Sequence, residues 1–179
     1  MESKFYEILK TISPESQIFV YIAQYGVIGY LMLLVIALIY ERKLNSITIS
    51  IFVVYLSWVV CRGVMPLLYD IASGPELYNK FAWYGSWIAI DVFCVWLIYY
   101  LHQVQKLRAT QLSLVVSMSF IATSIIQAID FIDRATLQSS FFASAYQVLI
   151  AIFNTGMLPL IAYFWLVEIR KRRLIVAGA

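Results

Sequence analysis

Residues 46–68 read SITISIFVVYLSWVVCRGVMPLL. The run is apolar and long enough to cross a bilayer core, which takes about 20 residues in a helix. Its one charge is Arg62. A guanidinium inside a membrane helix costs about 3 kcal/mol or more. Pro66 lacks an N–H, and its ring clashes with the carbonyl of Arg62, four residues back. Gly63 loosens the same turn. A charge, a helix breaker and a freed carbonyl therefore share one short window of a predicted span.

Four further runs of the same kind occupy residues 17–40, 81–101, 111–132 and 141–167. The links between them are short, so successive helices must be antiparallel neighbours. Composition agrees with this pattern. The chain has 179 residues, of which 63% are hydrophobic and 13% charged. Its mean hydropathy is +0.83. Soluble domains are nearer half apolar and a quarter charged. Phe5, Ile8, Leu9 and Ile12 recur at helical spacing among Glu2, Lys4, Glu7 and Lys10, which predicts a short helix lying in the interface. The expected fold is an all-α, polytopic membrane protein. An amphipathic interfacial segment (1–16) precedes a bundle of five transmembrane helices (17–168), and a basic cytoplasmic tail (169–179) follows.

Orientation follows from the positive charges. One end of the bundle carries Arg42, Lys43, Lys106, Arg108, Arg170, Lys171, Arg172 and Arg173. The other carries Lys4, Lys10, Lys80 and Arg134, and with Arg62 these complete the 13 Lys and Arg. Short loops obey the positive-inside rule, so the expectation is an N-terminus outside and a C-terminus in the cytoplasm, in a plasma or inner membrane. Acids run the other way. Glu2, Glu7, Glu15, Asp70, Glu76, Asp130 and Asp133 fall at the outer end, and Glu41 and Glu168 at the inner end. Such a rim could concentrate cations at a mouth, or simply be solvated. The cluster Arg170–Arg173 could touch anionic lipid, or simply anchor the topology.

The polar residues within the spans are the candidate site. Asp91 falls within about 2 Å of the midplane of 81–101, and Arg62 about 8 Å outside the midplane of its own run. Side chains lean toward the N-terminus of their helix, so the two groups approach each other across adjacent antiparallel helices. An Arg62–Asp91 pair is expected, either as a clamp on helix register or as a ligand or gating site. Gln127 and Asp130 extend a polar stripe on the fourth span, with Gln147 and Asn154 on the fifth. Together these six residues make up the expected ligand or ion pathway. Gly63 and Pro66, echoed by Gly156 and Pro159, are the expected hinges.

Several classes are disfavoured. The single histidine and two intramembrane cysteines, Cys61 and Cys94, supply neither a multi-His metal site nor a disulfide framework. No cofactor or metal is expected, and no basic stripe suits nucleic acid. Motifs for a nucleophilic serine, a zinc protease or a phosphate loop are missing. The expected function is a non-enzymatic integral membrane subunit, self-associating or bound to a membrane partner protein, in a channel, sensor or effector role. The alternatives are a small transporter or ligand-binding protein using Arg62 and Asp91, and an outer-face aspartate enzyme using Asp130 and Asp133.

Overall fold

Five long helices follow one another in a computed structural model that describes residues 14–72, 74, 76–137 and 141–177. They are α1 (Pro14–Glu41), α2 (Ser46–Ala72), α3 (Leu77–Val104), α4 (Gln111–Ile132) and α5 (Phe141–Ala177), with a π-helical turn at Asp133–Leu137 between the last two. The stretches Ser46–Ala72, Leu77–Val104, Gln111–Ala135 and Ala145–Arg172 are each long and apolar enough to cross a membrane. In α1 the stretch Tyr25–Glu41 is likewise apolar. This is the all-α membrane bundle that the hydropathy pattern predicts. The expected interfacial segment lies outside the described residues as far as residue 13. The expected tail is not a separate element, because α5 runs on to Ala177.

Each helix packs on the next, α5 returns to α1, and α2 also crosses to α4. The interior is concentrated at the end of the bundle where the basic loops lie. There Tyr30, Ala37, Ile51, Val53, Val116 and Ile161 are almost completely buried. At this basic end α2 is the central helix: apart from Phe52, every residue of 46–54 is buried. Ser46, Thr48 and Ser50 make this possible, since small hydroxyl side chains let neighbouring backbones close in on all sides. Further along, α2 leaves the centre. Val59, Val60, Arg62, Gly63, Met65, Pro66 and Leu67 are all exposed.

The two turns at the basic end are tightly specified. Asn45 caps α2, accepting on Oδ1 from the N–H groups of Ile47 (3.1 Å) and Thr48 (3.0 Å). Thr48 Oγ1 accepts in return from the Asn45 N–H at 2.8 Å. Thr110 caps α4 through the Ser113 N–H. Arg42 and Lys106 end α1 and α3 in the left-handed region, at φ 53° and 50°, where glycine is the usual residue.

Helix α2 is unbroken across Pro66, and α5 across Pro159. The expected hinge residues Gly63, Pro66, Gly156 and Pro159 thus all lie within continuous helix.

Candidate functional site

Two carboxyl groups lie on the seam where α3 packs against α4, and the antiparallel geometry sets their spacing. Tyr84 and Asp91 are seven residues apart on α3; Thr123 and Asp130 are seven apart on α4. Seven residues return to the same helix face after about 10.5 Å. The seam therefore has two polar rungs, Tyr84–Asp130 toward the acidic end and Asp91–Thr123 near mid-membrane.

At the first rung the Tyr84 hydroxyl donates to Asp130 Oδ2. Arg134 Nε donates to the same oxygen at 3.0 Å. Asp130 is fully buried, whereas the Arg134 side chain is 36% exposed. The π turn that starts at Asp133 carries Arg134, and such turns recur at functional sites. Tyr146 of α5 closes the rung, with its ring centroid 6.0 Å from that of Tyr84. Asp133 accepts from the Phe142 N–H at 3.4 Å, near the start of α5. Asp130 and Asp133 each have a protein partner of their own.

At the second rung Thr123 has one hydroxyl proton and three acceptors in reach. These are Asp91 Oδ2 at 2.7 Å, Phe120 O at 2.9 Å and Ser119 O at 3.1 Å. If Asp91 carries a proton, its O–H donates to Thr123 Oγ1 and the threonine donates to its own helix. If Asp91 is ionised, Thr123 must turn its proton to it and release both carbonyls. Ser124 also lies beside the Asp91 carboxyl.

Between the rungs α4 carries Gln127, only 7% exposed. Among the described residues its Oε1 has no hydrogen-bond partner, and neither has Asp130 Oδ1. Two such acceptors, three residues apart on one helix face, suit a water donating to both. No group of three His, Cys, Asp or Glu side chains among the described residues is placed to hold a metal ion.

The structure divides the six expected pathway residues. It gathers Asp91, Gln127 and Asp130 along the seam. It places Arg62, Gln147 and Asn154 on exposed surfaces. The expected Arg62–Asp91 ion pair is not formed: Asp91 faces Thr123, and Arg62 has no ion-pair partner among the described residues. The axial estimate fails on rotation. Arg62 is on the exposed side of α2, whereas its neighbour Cys61, about 100° round the helix, is half-buried.

A second polar network sits at the basic end, and sequence reading missed it. Glu41 accepts two bonds from Arg172, at 2.7 and 2.6 Å. It also accepts from Trp165 Nε1 at 3.1 Å and Asn45 Nδ2 at 2.7 Å. Lys171 reaches Gln111 at 3.2 Å. Two of the four basic residues assigned to anionic lipid are therefore engaged within the chain. Nearby, His102 Nδ1 donates to Ile98 O and its Nε2 accepts from Ser46 Oγ, both at 2.7 Å. Ser46 Oγ also accepts from the Thr110 N–H at 3.0 Å. A serine and a histidine at this distance resemble a nucleophile and its base. Ser46 and His102 are both buried, however, and the serine oxygen is occupied in joining α2, α3 and the α4 cap. The lone histidine, with an intramembrane stem and a polar loop after it, was the only sequence signal for this network.

No protein-family model, curated protein or solved structure matches the chain.

Proposed function

We propose that this integral membrane protein is a proton-responsive sensor, with Asp91 as the group that gains and loses the proton. The supporting observation is the setting of Asp91: a carboxyl near mid-membrane with a hydroxyl partner and no cationic partner among the described residues. An unpaired carboxylate in hydrocarbon is neutralised, by a proton or by a bound cation. Thr123, with one proton for three acceptors, makes the two states of Asp91 structurally different. In one the threonine bonds to its own helix; in the other it bonds to the carboxylate.

Protons would reach Asp91 from the acidic end, past Arg134 and Asp130 and along Gln127. Past Asp91 toward the basic end the seam is closed by Cys94, Ile98, Val116 and Leu112, all buried. Access from one side suits a sensor better than a continuous pore. With the basic end in the cytoplasm, as the positive-inside rule has it, the sensed compartment is the outer one.

Infrared difference spectra of the reconstituted protein test this reading. A carboxylic C=O band should appear and disappear as the bulk pH is stepped through the range where carboxyls and imidazoles titrate. Asp91→Asn should abolish that band, and Thr123→Val should shift its frequency. A pH-stepped spectrum identical in wild type and Asp91→Asn would overturn the proposal.

A further inference from the structure

Arg62 lies on the outside of the bundle, with no ion-pair or hydrogen-bond partner among the described residues. Its depth makes this notable. Helix α2 has 27 residues, or about 40 Å, and Arg62 is ten residues, about 15 Å, from the end at Ala72. A hydrocarbon core of about 30 Å centred on the helix leaves about 5 Å at each end. The Arg62 Cα then sits about 10 Å inside the apolar layer. Its side chain leans toward the helix N-terminus, away from the nearer headgroups.

The surface beside it is open. Val59, Gly63 and Pro66 share the exposed side of α2 with Arg62. A Cβ built on Gly63 would meet nothing within 4 Å. A glycine facing lipid lets a second helix bring its backbone close.

We propose that this face of α2 docks a transmembrane helix of a partner protein, and that the partner presents a carboxylate to Arg62. Charge complementarity selects the group, since a guanidinium pairs with a carboxylate through two parallel bonds. Depth selects a protein helix over a lipid, whose anionic headgroup stays at the interface. A second copy of this chain is poorly matched. Its Asp91 is held by Thr123 and lies about 6 Å deeper, its Asp130 is buried against Arg134, and its Asp70 lies about 12 Å nearer the helix end.

The test uses the full-length chain, donor-labelled, in phosphatidylcholine vesicles. The probes are acceptor-labelled polyleucine helices carrying one Glu, or one Gln, about 10 Å inside the apolar layer. The Glu helix should associate at least about tenfold more tightly than the Gln helix, the scale of close charge-pair coupling at interfaces. Arg62→Gln should remove that preference, and Arg62→Lys, which keeps the charge, should retain part of it. The Glu-over-Gln comparison is made within the wild type, so a folding defect in one variant does not decide it. Equal association of the two helices, or a preference that survives Arg62→Gln, overturns the proposal. So does Arg62-dependent self-association without a probe, which assigns the face to a second copy. Arg62-dependent retention of phosphatidylglycerol in place of the Glu helix assigns it to lipid.

Discussion

Breaking the Glu41–Arg172 pair from its two sides should have unequal consequences. The Glu41 side chain is 2% exposed and that of Arg172 is 40% exposed. Arg172→Ala strands a buried carboxylate with only Trp165 and Asn45 to solvate it. Leaving a buried charge uncompensated costs about 3–5 kcal/mol. Glu41→Ala strands a cation that can turn to solvent. What remains is the loss of an acceptor for the Trp165 N–H and the Asn45 amide, about 1–3 kcal/mol. The double variant has no stranded charge, so it should be milder than Arg172→Ala alone. The bond from Arg172 also holds the Glu41 carboxyl below its ordinary range. A carboxyl lowered by folding contributes fully above its unfolded value, near 4.3 for glutamate. That contribution fades as the pH falls through the folded value. Helix α5 should therefore loosen from α1 only in acid, below the ordinary carboxylate range. Unfolding by SDS titration in mixed micelles, followed by helical circular dichroism, measures all three variants. Equal losses in the two single variants, or a double variant as unstable as their sum, would refute the reasoning.

Further consequences follow at the other polar groups. Tyr84→Phe removes one of two donors to the buried Asp130 oxygen and should cost about 1–3 kcal/mol in the same titration. Tyr146→Phe, which removes a hydroxyl but keeps the ring contact, should cost less. Ser46→Ala removes the hub between His102 and Thr110 and should also cost about 1–3 kcal/mol, with faster amide exchange at the start of α4. Lys106→Gly should stabilise the chain by about 1 kcal/mol, because a left-handed backbone strains any residue with a Cβ. Its midpoint should move in the opposite direction from the other variants.

The membrane class, the helix order, the starts of α2, α4 and α5 and the end of α4 were legible in the sequence. About 20 apolar residues between polar turns admit one structure in a bilayer, since every backbone group must be bonded within its own segment. Axial position was legible too: a rise of 1.5 Å per residue places Asp91 near the centre and Asp130 near one end. Rotation about each helix axis was not. Lipid is as apolar as the interior of the bundle, so an apolar residue gives no sign of which way it faces. Arg62 and Asp91 stand on neighbouring helices, yet Arg62 faces out of the bundle while Asp91 faces Thr123. The helical repeat puts Tyr84 on the face of Asp91, but its bond to Asp130 depends on how α3 and α4 are rotated against each other. Glu41 and Arg172 are far apart in sequence and meet only because α5 folds back against α1. Sequence by itself determined that this chain crosses the membrane and which charges it carries there. The angular packing of the helices decided which of those charges meet, because only contact between neighbours selects one rotation of a helix over another.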